Sequence, residues 1–238
     1  MKLALRWLVW CAVALLALQV FFIARIASMT VLAPQSTTFQ RSEAWRITTE
    51  KGELRWRQQW VDYAQISDHL KRAVIASEDD GFSQHDGVDW DALEKAWIKN
   101  AKAEERAAQR NTTRAPKVVG GSTITQQLAK NLLLSGERTL LRKGQEFVLT
   151  MALEVLLSKR RILEIYLNNV EWGEGVFGAE AAAQHYFRKP AARLSAYEAA
   201  RLAVMLPRPR FYETKSNSAY LSGRAGVIVG RMGDAQLP

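Results

Sequence analysis

Gly120 to Asn131 read GGSTITQQLAKN, a crowding of hydroxyls and amides and one lysine behind a glycine pair. The glycines let the backbone turn tightly and approach a ligand closely. Thr123-Ile-Thr-Gln126 fits a capping box, so a helix begins here, and its free N–H groups suit a phosphate. On that helix Ile124, Leu128 and Leu132 share one face, while Gln126 and Lys130 share the opposite one. Alone, the pattern favours an ordinary capped amphipathic helix. The next segment adds charge. Arg138, Arg142 and Glu146 recur at i, i+4 and i+8 along one helix side, with Lys143 adjacent. An exposed Arg142–Glu146 pair would contribute roughly a few tenths of a kcal/mol. Convergence of Lys130 and Arg138 across the short LLLSGE connection would instead build a cationic site for a doubly phosphorylated group.

Upstream, SEDDGFSQHDGVDW (Ser77–Trp90) sets Glu78, Asp79, Asp80, Asp86 and Asp89 around His85. Carboxylates of this kind suit Mg²⁺ or Mn²⁺, but the spacing matches no metal loop. A solvated acidic helix end is the plain alternative. The preferred reading makes Glu78 a general base whose pKa is raised by neighbouring negative charge and partial burial. A base taking a proton from a hydroxyl while cations stabilise a departing pyrophosphate is one coherent reaction class.

The elements that must position these groups are mostly helices. Leu70, Ala73, Val74 and Ala76 form a short apolar face ending at the acidic run. Helices are expected over Asp89–Arg110, Ser122–Leu134, Arg138–Leu157 and Arg160–Asn168, and an Ala-rich one over Phe177–Phe187. Ser195-Ala-Tyr-Glu198 is a second capping box, opening a helix through Met205 that Pro207 and Pro209 stop. QRNTTRAPKVV reads as a mobile loop. MTVLAPQSTTFQ shows no period, and Glu43–Tyr63 sets Trp45, Trp56 and Trp60 among arginines, which suits either a membrane-proximal surface or a short element with buried tryptophans. No run alternates in the manner of a long strand.

Trp7 to Ile23 (WLVWCAVALLALQVFFI) follows Lys2 and Arg6. Its roughly 17 residues span about 25 Å as a helix, and counting on through Ile26 and Ala27 reaches the ~30 Å of a hydrocarbon core. A cleaved signal peptide is the competing reading, but Ile26-Ala27-Ser28 is a poor cleavage site. The basic residues favour a cytoplasmic N-terminus with the bulk of the chain outside the cytoplasm. Cys11, the only cysteine, lies in this block, so no intrachain disulfide forms. The net charge of +9 calls for an anionic partner. Beside an anchor, lipid headgroups or a lipid-linked pyrophosphate outrank nucleic acid.

Four motifs, taken in order, resemble the peptidoglycan glycosyltransferase (transglycosylase) family in its monofunctional, membrane-anchored form. They are Glu78-Asp79 with Phe82, His85, Gly87 and Asp89; GGSTITQQLAKN; Arg138 with Arg142-Lys143 and Glu146; and KRRILEIYLNNVEWGEGVFG (Lys159–Gly178) running on to Tyr186-Phe187. The match extends over roughly Ile66 to Tyr212. The resemblance implies a mainly α, lysozyme-like, two-lobed glycosyltransferase domain at 63–238, behind a cytoplasmic N-terminus and transmembrane anchor at 1–28 and a connector at 29–62. It implies lipid II and the growing glycan strand as substrates, on the periplasmic side of the bacterial inner membrane. Membrane lipids, and other cell-wall synthesis or division proteins, would be its partners; nucleic acid would not. By analogy Glu78 deprotonates the acceptor GlcNAc 4-hydroxyl, which attacks the donor MurNAc C1 with inversion. Lys130 and Arg138 hold the donor pyrophosphate, Ser122, Gln126 and Gln127 line the site, and Asp79, Arg142 and Lys143 fall among the binding residues. Glu146 matches the family's second essential carboxylate, orienting these cations or a divalent metal. Asn168 and Gly173 shape the cleft. No tightly bound cofactor is implied, with Mg²⁺ or Mn²⁺ left open. The stretch from Ala101 to Pro116 is longer than the family's usual connection. S-x-x-K and K-T-G transpeptidase motifs do not occur, so glycan polymerisation without cross-linking is expected. A lysozyme-like hydrolase needs an acid for a sugar leaving group and has little use for a cation cluster. A non-catalytic anchored scaffold would need neither Glu78 nor Glu146.

Overall fold

The computed structural model describes residues 2–109, 120–137 and 139–238. It is mainly helical, as the pattern predicts. The N-terminal α1 (Lys2–Ser28) is the one helix among the described residues long and apolar enough to cross a membrane, and only 6% of its most apolar window is buried. A core helix of a globular domain would be mostly covered. Its last turn does enter the core through Ile26, followed by Met29, and Arg161 donates to the carbonyls of Met29 and Leu32. Midway along α1, Gln19 exchanges two side-chain hydrogen bonds of 3.0 Å with Gln145.

The stretch after α1, which shows no period in the sequence, contains α2 (Thr38–Lys51). Thr37 and Gln40 form its capping box, and Gly52 ends it at φ 73°. Of the tryptophans, Trp45 is exposed, Trp56 stacks on Phe177 at 4.5 Å, and Trp60 packs partly against the core.

The catalytic-motif helices are α3 (Asp68–Glu78), α4 (Trp90–Gln109), α5 (Ile124–Leu133), α6 (Leu140–Leu156) and α7 (Lys159–Asn169). Asp89 begins α4 by accepting the Ala92 N–H. The helix expected from Arg138 starts two residues later, because Thr139 is its cap and accepts from Arg142. Arg138 itself, and the expected loop from residue 110 to 119, lie outside the described residues. Three short strands, only the first in a stretch where a short element was expected, follow the order β1 (Arg57–Gln58), β3 (Val176–Phe177), β2 (Glu171–Gly173), parallel for the first pair and antiparallel for the second. Thus Phe177 is strand, and the helix expected from it begins only after Gly178 as α8 (Ala179–Phe187). Gly178 takes φ 85°, and a Cβ there would come within 2.6 Å of the Asn168 carbonyl.

Ser195 and Glu198 make the expected box at the start of α9 (Ala196–Met205). Pro209 does more than stop a helix: it occupies the first turn of α10 (Pro209–Glu213). The chain closes with α11 (Ala219–Arg231), which the sequence reading missed among its glycines. α3, α9 and α11 pack on one another, while α5 packs on α2, α6 and α7. Ile124, Leu128 and Leu132 of α5 are all buried, and each such side chain contributes about 1.5–3 kcal/mol.

Candidate active site

Glu78 is the last residue of α3, and Asp79 leaves the helix in an extended turn. That turn is tied down from both sides. Asp79 is buried, with Oδ1 2.8 Å from His85 Nε2 and Oδ2 accepting the Ile124 N–H at 2.9 Å. His85 Nδ1 accepts the Gly87 N–H at 3.1 Å, so the ring proton sits on Nε2 and is donated to Asp79. Thr123 Oγ1 donates to the Gly87 carbonyl at 2.6 Å while capping α5 through the Gln126 N–H. Asp79 therefore joins the acidic motif to the start of the hydroxyl-rich helix. Both its oxygens accept from protein donors, which ties the two elements together.

These attachments set Glu78 against the side of α5. Gln127 Nε2 donates to Glu78 Oε2 at 3.0 Å, and Gln127 Oε1 accepts the hydroxyl of Tyr166 at the same distance. Tyr166 is buried on α7. It lies within a quoted motif, yet nothing in the spacing of that motif tells where its hydroxyl points. Burial pushes the Glu78 carboxyl above its ordinary range; hydrogen bonds from Gln127 and Ser77 moderate the shift, and the Asp79 charge adds to it. Burial is the larger cause and the neighbouring charge the smaller.

Glu78 opens into a cavity of about 160 Å³ bounded by Gly120, Gly121 and Ser122. Ser122 also lines a second cavity of about 600 Å³, together with Gln126, Gln127 and Lys130 of α5 and Arg142, Lys143 and Glu146 of α6. The larger cleft is closed on its far side by Thr38, Phe39 and Ser42 of α2 and by Glu171, residues to which the sequence reading gave no role. Buried Glu146 holds Arg142 at 2.7 Å through one oxygen and contacts Lys143 through the other. A buried carboxylate between two cations fixes their direction. Arg142 Nε is itself buried without a protein acceptor. Behind the site Glu154 accepts from Thr125 at 2.5 Å and from Lys159 at 2.9 Å, locking α5, α6 and the start of α7 together.

The structure thus gathers the predicted residues into two adjoining chambers, with Ser122 at their junction. Arg138 is outside the described residues. Metal-ligand geometry is approached by Asp79, His85 and Asp89, whose ligand atoms lie within 4.8 Å of one another. The fit to a metal is poor. The Asp79 oxygens are taken by His85 and Ile124, and His85 Nε2 carries a proton. Glu146 is likewise committed to Arg142 and Lys143.

Residues 46–233 match the transglycosylase family. The chain is 52% identical to the biosynthetic peptidoglycan transglycosylase of Burkholderia thailandensis over 237 residues, covering 98% of this chain and 88% of the relative. It is 52% identical over 235 residues to the protein of that description from Herminiimonas arsenicoxydans, covering 98% and 97%. The like-named protein of Burkholderia orbicola is also 52% identical, with 98% and 92% covered. A half-identical sequence over almost the whole of both chains leaves no room for a different fold or a different motif order, and this chain belongs to the transglycosylase family.

Proposed function

We infer that this chain is a peptidoglycan glycosyltransferase that polymerises glycan strands from lipid II. The observation that carries the reading is a carboxyl of raised pKa, Glu78, in a small chamber that opens beside a cation-lined cleft. The acceptor GlcNAc sits in the small chamber with its 4-hydroxyl against Glu78. The growing lipid-linked strand sits in the large one as donor. Glu78 takes the hydroxyl proton, the oxygen bonds to MurNAc C1 from the face opposite the pyrophosphate, and the C1–O bond to pyrophosphate breaks. Lys130, Arg142 and Lys143 receive the negative charge that leaves, a role the resemblance also gives to Arg138. Ser122, at the junction, and Gln126 line the path between the sugars.

The reading calls for no tightly bound cofactor, which leaves Mg²⁺ or Mn²⁺ a place only beside the substrate's own phosphates. Helix α1 supports single-pass anchoring in the bacterial inner membrane, with residues 63–238 as the catalytic domain on the periplasmic side. The family match begins at residue 46 and so takes in the end of α2 and all of β1. Detergent-solubilised protein should convert labelled lipid II into a ladder of glycan strands. Glu78→Gln should give none while keeping its fold. A ladder from the variant would remove Glu78 as the base, and release of fragments from finished peptidoglycan by the wild type would indicate a hydrolase.

A further inference from the structure

The chamber that holds Glu78 has a wall the motifs do not supply. Arg231, the last residue of α11, lines it and is its one cation among the described residues. Arg231 Nη2 donates to Asp80 Oδ2 at 2.9 Å, and Asp80, two residues from Glu78, lines the same chamber. Three features distinguish this pair from a chance surface contact. First, the presenting helix is rigid: Leu221, Ala225 and Ile228 anchor α11 in the core, and buried Met232 follows Arg231 directly. Second, the segment beyond is fastened to the catalytic loop and its helix, since Ser83 Oγ donates to the Gln236 carbonyl at 2.9 Å and Arg72 donates to the Ala235 carbonyl. Third, the pair is held but not sealed, with 40% and 61% of the two side chains exposed.

We propose that Arg231 and Asp80 form a sugar-recognition subsite that positions the acceptor pyranose over Glu78. This rests on the polymerase reading. The chamber, at about 160 Å³, is the size of a single sugar ring rather than a disaccharide, so it takes the acceptor's terminal residue. That residue carries neighbouring hydroxyls and an acetamido carbonyl and no charge. A guanidinium fork beside a carboxylate offers donors and acceptors together, matching hydroxyls that both give and accept hydrogen bonds. The Arg231–Asp80 bond uses one N–H of a guanidinium that carries several, so the remaining ones serve the ligand. Neutralised by Asp80, the arginine does not draw the acceptor's distant pyrophosphate into the wrong chamber. In the large cleft Arg142 and Lys143 share the single carboxylate of Glu146, so that group of three keeps a net positive charge, and the two chambers sort a neutral sugar from a charged leaving group.

The test separates donor from acceptor. A lipid-linked tetrasaccharide whose terminal 4-hydroxyl is replaced by hydrogen serves only as donor, and lipid II serves as acceptor. Arg231→Ala and Asp80→Asn should each raise the KM for the acceptor by about three- to tenfold, the loss of one or two hydrogen bonds. The KM for the donor and the thermal midpoint should not change, and Arg231→Lys should recover part of the acceptor KM. An acceptor KM equal to wild type in both variants would overturn the subsite. So would a common rise in both KM values with a lowered thermal midpoint, because that is how a mere staple between α11 and the loop behaves. Absence of coupling by the wild type would instead bring down the polymerase reading, and this inference with it.

Discussion

The two ends of the Gln127 amide face different partners, and that polarity decides what Glu78 experiences. The Tyr166 hydroxyl takes the oxygen end, which leaves the NH₂ end for the carboxylate. A donor aimed at Glu78 favours its charged form, against the burial that opposes it. The base works deprotonated, so the rate should fall as pH drops through its pKa, above the ~4.3 of an ordinary glutamate. Gln127→Ala removes the moderating donor, and the acid limb of kcat should move to higher pH. Tyr166→Phe should move it the same way by less, because the amide can then present its oxygen. A limb unmoved in both variants would mean that Gln127 does not touch the working form of Glu78. The same shift has a consequence for stability. A carboxyl whose folded pKa is raised contributes stability at low pH that is lost as pH rises through that pKa. Glu78→Gln resembles the protonated form permanently, so its thermal midpoint should exceed that of wild type at pH 8. The difference should close as the pH is lowered toward 4.

At the scale of elements, the site depends on a junction of α3, α5 and α6 closed around Gly87. That residue has φ 86°, and a Cβ on it would lie 2.8 Å from both Glu154 Cγ and Thr150 Cγ2 of α6. Its N–H and carbonyl are both in use, by His85 and Thr123. Gly87→Ala combines strained backbone with a clash against α6, and should lower stability by about 1–3 kcal/mol. Because Thr123 caps α5 from the Gly87 carbonyl, polymerisation should fall more than the unfolding midpoint suggests. Chemical denaturation and glycan synthesis measured on the same sample check both parts. Asp79 belongs to the same junction: its two bonds fix the helix that carries Gln127 relative to the helix that carries Glu78.

The whole molecule presents an apolar surface that continues from α1 onto α6. Gln19 and Gln145 join the two helices, and Ser28 lies nine positions beyond Gln19 on α1, about 14 Å of helix. Leu140 and Leu141, at the start of α6, are 93% and 86% exposed, one turn from the cations of the cleft. Val148 on α6 and Trp97 and Ile98 on α4 are exposed too, and Trp90 of α4 lies 6.5 Å from Phe147 of α6. Were α1 to cross a bilayer as proposed, the exposed start of α6 would face its hydrocarbon. Leu140→Glu with Leu141→Glu should therefore raise the KM for lipid II in vesicles about tenfold or more, since carboxylates in hydrocarbon are costly. The same enzyme in detergent with a short-chain substrate should keep most of its rate. Equal losses in both settings would mean that the leucines serve folding instead.

Most of the helices, both Thr123 and Ser195 capping boxes and the membrane-length apolar run were legible in the linear chain. They are local: a helix period, a cap and a run of apolar residues lie within a few turns of one another. Motif residues close in sequence, such as Arg142 and Glu146, share a helix face for the same reason. What the line of residues could not carry was aim and long-range closure. That Asp79 faces the α5 N-terminus, that Tyr166 orients Gln127, that α2 walls the cleft and that Arg231 reaches Glu78's chamber from the far end of the chain all depend on packing. α11 escaped notice because its glycines weaken the local signal while burial on α3 and α9 supplies the stability. The three short strands escaped because two or three residues cannot display a period, and they form only where the chain returns to itself. Chemistry was chosen by residue type, which is written in the sequence. Direction was chosen by tertiary contacts, because a side chain's orientation is fixed by whichever buried partner leaves fewest polar groups unsatisfied.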